Sequence, residues 1–245
     1  GLDHYRFIFD IPDTWKVIRN TVVISVLKLF FGLITPVVTA LLLNEIRIRW
    51  FKRSIQTLVF FPHFLSWVIL GGIIIDVFSQ NGAVNKVLGW FNLGPYFFMG
   101  DPALFRFVVV ATDVWKDFGF SMIVFLAALT SIDPSLYESA MMDGANRWRQ
   151  TLHITLPGIM PIVTLVAILN LGNILNAGFD QIFNLYNALV YETADIIDTY
   201  VYRIGLVNAQ YGLATAMGLF KSAVGFVLIV ISYYLAYRVA NYRIF

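Results

Sequence analysis

The chain has 245 residues, of which 59% are hydrophobic and 13% charged; its formal net charge is +2 and its mean hydropathy +0.74. A soluble domain carries roughly 25% charged residues, so the composition excludes an ordinary water-soluble fold and predicts an all-α, polytopic membrane protein. With no Cys there are no disulfides or thiolate sites. The scattered His4, His63 and His153 form no metal-ligand pattern, and neither a metal nor a nucleic-acid partner is expected.

Residues 1–20 are polar and show no signal peptide. Five apolar stretches then approach or exceed the ~20 residues that cross a bilayer as a helix. They lie near 21–44, 54–78, 104–130, 157–178 and 213–238, and together they form one membrane domain over 1–245. None has the strict alternation of a membrane β-strand. Arg47, Arg49, Lys52 and Arg53 crowd the short loop 45–53. Cytoplasmic loops are enriched in Lys and Arg, so 45–53 is read as internal. Strict alternation then places 131–156 and the C-terminus inside, and the N-terminus, 79–103 and the acidic loop 179–212 outside. An external N-terminus without a signal peptide implies a sixth span upstream of residue 1.

The loop 131–156 is unusually well specified. Asp133-Pro134 is a helix start, since Asp caps and Pro suits the first helical position. Gly144 can end that helix with positive φ. Ser139, Ala140 and Ala145 are small enough for close approach, and Glu138 and Asp143 add charge. A second helical piece runs from Asn146 to His153, and Pro157 opens the next span. Physically this fits either an interfacial helix resting on headgroups or a helix that docks on a partner.

Glu138-x-Ala140-x-x-x-Gly144, followed after nine residues by Ile154-x-Leu156-Pro157, resembles the cytoplasmic signature of permease subunits of binding-protein-dependent ABC importers. Ser139 departs from the family's usual Ala. Asn81 to Asn85, Trp115, Gly119 and Ala127-Ala128-Leu129 are similar to other positions of that family. Asp195 to Arg203 and Gly218 to Ser222 resemble the subgroup that imports oligosaccharides or polysaccharides. The resemblance implies a type I importer permease in a bacterial cell membrane. It implies that Pro134 to Gly144 is a coupling helix seated on a separate ATPase, with Glu138, Ser139, Ala140, Asp143, Gly144 and Ala145 as coupling residues. It also implies a second homologous permease, two ATP-binding cassette subunits that hold ATP and Mg, and an extracytoplasmic solute-binding protein. No G-x-x-x-x-G-K-[ST] phosphate loop occurs in the chain, so no nucleotide site and no enzyme activity are expected in it.

Ionisable residues within spans are costly and mark pathways or pairs. Here they are Lys28, Asp76, Asp113, Lys116, Asp117 and Lys221. At about 1.5 Å per residue, most of them sit roughly 10–20 Å below the outer surface. Asn170, Asn173 and Asn176 recur at three-residue spacing on the fourth span, with Asp180 just beyond. Amides and carboxylates suit sugar hydroxyls, which both donate and accept, and Trp67, Trp115, Phe118 and Tyr186 could stack on sugar faces. The candidate substrate-pathway residues are therefore Asn170, Asn173, Asn176, Asp180, Trp115, Lys116 and Asp117. Against this stand plainer readings. The Asn side chains can serve as interhelical glue, and Asp113, Lys116 and Asp117 can neutralise one another at i, i+3, i+4. Lys28 and Lys221 can pair with those carboxylates or with a partner subunit, and loop 179–212 can be a surface re-entrant loop.

Other functions remain in view: a permease for a peptide or polyol, and an ion-driven secondary transporter, which would need inverted repeats or broken helices. An intramembrane enzyme is a further alternative, though no catalytic spacing is present. Pro62-His63 reads as a packed kink.

Overall fold

The computed structural model describes residues 2–239. Among the described residues all regular structure is helical. A short α1 (Asp3–Asp10) leads through the extended Ile11 into α2 (Pro12–Glu45). This helix of 34 residues is about 51 Å long, and Pro36 is accommodated within it. Three helical stretches are long and apolar enough to cross a membrane: Pro12–Glu45, Arg147–Leu171 and Tyr211–Arg238. Two bent pairs, Arg49–Phe64 with Trp67–Val77 and Pro102–Thr130 with Pro134–Met142, raise the number to five.

The stretch 54–78, expected as one span, is broken. α3 (Arg49–Phe60) passes into a 3-10 turn at Phe61–Phe64, and α4 (Trp67–Val77) leaves at 106°. Pro62 removes a helical donor, and the Ser66 hydroxyl caps α4 by accepting from Ile69 N–H at 3.4 Å. In a bilayer the freed backbone groups need partners inside the protein. One comes from Lys116, whose Nζ donates to the His63 carbonyl at 2.8 Å. α5 (Ala83–Trp90) follows, held against the 96 turn by Asn85, which donates to Tyr96 O and accepts from Tyr96 N–H.

α6 (Pro102–Thr130) starts on an Asp101 cap and runs beside α2. α7 (Pro134–Met142) turns away from it by 67°. α8 (Arg147–Gln150) then winds through a π-helical turn at Thr151–Thr155 into α9 (Leu156–Leu171).

The fourth span, expected to stay helical to 178, stops at Leu171. Residues 172–175 form turns, and Gly178 takes a left-handed conformation with φ +92° before α10 (Phe179–Leu185). The loop expected over 179–212 is largely folded: α10, α11 (Tyr191–Ala194) and α12 (Ile197–Tyr202) occupy it. It packs into the bundle, with Asn20 donating to the Glu192 and Asp195 carbonyls at 2.9 and 3.2 Å. α13 (Tyr211–Val239) completes the chain.

Three apolar clusters hold these elements. Ile24, Leu70, Phe105 and Ile182 knit α2, α4, α6 and α10. Ala40, Met122, Phe125 and Ile159 join α2, α6 and α9 nearer the 131–156 end. Ile8, Val17, Ile197 and Met217 fasten α1, α2, α12 and α13. Gly119 permits one close crossing, because a Cβ there would lie 2.1 Å from the Val59 carbonyl oxygen. The end of α3 can therefore lie directly on α6.

Candidate functional site

The first candidate site is the 133–155 segment. The Asp133 carboxylate accepts from Ser135 N–H at 2.9 Å and caps α7. These hydrogen bonds hold its carboxyl below the usual carboxylate range. At the other end, Gly144 has φ +76°, its N–H donates to Met141 O, and Ala145 N–H reaches Ala140 O at 2.9 Å. This pair of bonds is a Schellman C-cap. Asn146 then caps α8 through Arg149 N–H at 2.9 Å. The turn is tied back to the bundle by Tyr137 Oη with Thr155 Oγ1 at 2.9 Å, by Gln150 to Ala145 O at 2.8 Å, and by Arg147 to Glu45 at the end of α2. The tether holds one side of α7 only. Glu138, Ser139, Asp143 and Gly144 are exposed, Ala140 and Ala145 are partly covered, and Leu136, Met141 and Met142 are 51%, 58% and 89% exposed. A Cβ on Gly144 would meet nothing within 4 Å. The segment is thus shaped from within and offers small, apolar and acidic groups outward.

The second is a polar cavity of about 330 Å³ among α2, α6 and the segment after α9. Ser25, Lys28 and Gly32 come from one face of α2, Asp113, Asp117, Phe118 and Ser121 from α6, and Asn170, Asn173 and Asn176 from the third wall. Among the described residues, none of these three amides makes a side-chain hydrogen bond. They are not glue between the described helices. The three do not share a helix face: Asn170 ends α9, while Asn173 and Asn176 lie on the unwound segment. That segment also borders a second groove of about 680 Å³, formed with Asp198, Gly218, Lys221, Ser222 and Phe226.

The remaining sequence-predicted residues lie elsewhere. Trp115 borders an apolar pocket with Leu70 and Ile74. Lys116 is buried against the His63 carbonyl and sits 5.6 Å from the Trp67 ring centroid. Asp180 is exposed on α10. Of the aromatic residues considered, Phe118 lines the cavity and Trp67, Trp115 and Tyr186 do not. The ion pairs follow both expectations in part: Lys116 lies 3.7 Å from Asp117 within α6, and Lys28 reaches an α6 carboxylate, whereas Lys221 does not. Asp113 pairs across the bundle with Lys28 at 2.7 Å, Asp117 meets His63 Nδ1 at 2.8 Å, and Lys221 pairs with Asp198 on α12.

Sequence reasoning did not place Ser25, Gly32 or Ser121 at the cavity. Ser25, Lys28 and Gly32 stand at i, i+3, i+7 of an apolar helix, a spacing that marks one face and could have found them. The Ser25 hydroxyl is buried without a partner.

Unpartnered amides at a polar cavity, within a bundle of apolar helices, fit a membrane transport component. The chain belongs to the family of binding-protein-dependent transport system inner membrane components, whose sequence profile matches residues 21–241. It is 41% identical over 237 residues to protein LplB of Bacillus subtilis (strain 168), covering 96% of this chain and 74% of that protein. It is 40% identical, with the same coverage, to the polygalacturonan/rhamnogalacturonan transport system permease protein YteP of that organism. Among solved structures it superposes with TM-score 0.92 and 40% identity on a chain of a bacterial ABC transporter involved in the import of the acidic polysaccharide alginate, covering 98% of this chain and 84% of that one. An alginate transporter in complex with alginate pentasaccharide-bound periplasmic protein gives the same values. The chain is accordingly a membrane transport subunit that works with a binding protein, and not an enzyme.

Proposed function

We propose that this chain is a membrane-spanning subunit of an ATP-driven importer of an oligosaccharide or polysaccharide. Three unpartnered amides, Asn170, Asn173 and Asn176, on the wall of an intramembrane cavity carry this reading. A sugar offers many hydroxyls that donate and accept, and an amide answers both. The named solutes of the relatives support it: polygalacturonan and rhamnogalacturonan, arabinooligosaccharides, and alginate.

The energy enters through α7. Seated in a groove of a separate ATPase subunit, the capped 133–145 turn passes the closure of an ATPase dimer to α6 and α9. In this reading ATP and Mg are held by two ATP-binding cassette subunits, and a second homologous permease faces the open cavity. An extracytoplasmic binding protein delivers the solute near 179–212. Loop 131–156 and the C-terminus are cytoplasmic, in keeping with the Arg and Lys of 45–53.

The test is uptake by the reconstituted complex. Asn173→Leu is expected to raise the KM for the transported saccharide while leaving assembly and basal ATP hydrolysis intact. Unchanged uptake would remove the cavity from the path.

A further inference from the structure

The Lys28 ammonium is the meeting point of three elements. Its Nζ donates to the Asp113 carboxylate on α6 at 2.7 Å, to the Gln181 side-chain oxygen on α10 at 2.5 Å, and to the Ala177 carbonyl at 2.8 Å. All three of its donors are used, and its side chain is only 9% exposed. Gln181 is fully buried and is itself fixed, donating to Val109 O at 2.7 Å and Thr112 Oγ1 at 2.9 Å.

Ala177 belongs to the unwound segment that carries Asn173 and Asn176. Irregular backbone within a bilayer must find partners in the protein or line a cavity, and this segment does both. The next residue, Gly178, has φ +92°, and a Cβ there would stand 2.9 Å from Lys28 Nζ. The glycine thus admits the ammonium as well as the turn.

We propose that Lys28 is a positioning residue for transport: its ammonium latches the unwound 172–178 segment to α2 and α6, and so holds the Asn173 and Asn176 amides at the cavity wall. The inference rests on the reading of that cavity as the saccharide path. Lys28 and Asp113 border the cavity, but the three donors of the ammonium are all taken within the chain. Lys28 acts through the segment, and the Asp113 charge that balances it also keeps it from being an unpaired cation in the membrane.

A plain ion pair would hold helices together and nothing more. The two roles separate in the double variant Lys28→Met/Asp113→Asn, which removes both charges and so leaves no buried ion unpaired. In the complete reconstituted complex this variant is expected to assemble and to hydrolyse ATP at the basal rate, yet to raise the KM for the saccharide by roughly tenfold, the scale of one lost charge-assisted bond. Gly178→Ala disturbs the same segment by strain at φ +92° as well as by crowding Lys28 Nζ, and should raise the KM at least as far. The chain has no Cys, so a spin label introduced at Ile174→Cys, on this chain labelled before assembly with its partners, reports the segment; its spectrum should show greater mobility in the double variant. Wild-type KM and unchanged label mobility in the double variant would overturn the latch while leaving saccharide transport standing. If the unmodified complex moved no saccharide, the functional reading itself would fail.

Discussion

Asp117 belongs to two places at once. Its carboxylate borders the polar cavity and accepts from His63 Nδ1 at 2.8 Å, in the turn where α3 and α4 part at 106°. The His63 ring is stacked on Phe120 at 4.3 Å, one helical step from Asp117's own turn. The cavity wall and the broken span therefore share a residue.

This relationship predicts a graded series. His63→Phe keeps an aromatic ring against Phe120 but loses the bond, and uptake should fall by roughly tenfold, the scale of a hydrogen bond to a charged group. Asp117→Asn, which still accepts from His63, should be milder than Asp117→Ala. Initial uptake rates in proteoliposomes, normalised to assembled complex, check the order.

Gly119 makes a separate prediction about stability. A side chain there meets the Val59 carbonyl at 2.1 Å, so Gly119→Ala must push α3 off α6. Overpacking of this kind typically costs about 1–3 kcal/mol. A lowered Tm of the detergent-solubilised chain is the expected readout, and an unchanged Tm would show that α3 has room to shift.

The α7 cap predicts a pH and substitution pattern. Asp133 has its folded pKa depressed by its bonds to Ser135, so its contribution is fully present above the ordinary carboxylate value of 3.8 and is lost as pH falls through the lower folded value. At neutral pH the cap is intact. Asp133→Asn, which still caps, should bind the ATPase subunit as the wild type does, whereas Asp133→Ala should bind it more weakly. Titration of the two purified components measures this.

Much of α7 was legible because its signals are local. Asp133, Pro134 and Gly144 each act within one turn, and the structure forms the cap and the C-terminal turn at those residues. The breaks in the second and fourth spans were harder to see. Apolar composition reports that a segment suits lipid and says nothing of its direction, and Pro62 or Gly178 alone does not fix an angle. The partners of the buried charges were legible only as alternatives. Pairing of Lys28 with the α6 carboxylates was one of them, but Lys28 and Asp113 are separated by 85 positions, and nothing local chose that pair over neutralisation within α6. Asn173 and Asn176 reached the cavity by unwinding rather than by helical periodicity, so their spacing pointed to residues that line it through a geometry the chain does not adopt.

The central claim is that solute movement through this chain is driven by ATP hydrolysed elsewhere and delivered through the 133–145 turn. It is tested most directly by saccharide uptake into proteoliposomes, with and without ATP, for the wild type and for Gly144→Arg, whose side chain would project from a turn with φ +76° into space this chain leaves open. The account predicts that wild-type uptake requires ATP, the ATPase subunits and the binding protein, and that Gly144→Arg remains embedded but transports nothing. Normal uptake by Gly144→Arg, or wild-type uptake on an ion gradient without the ATPase subunits, would contradict it.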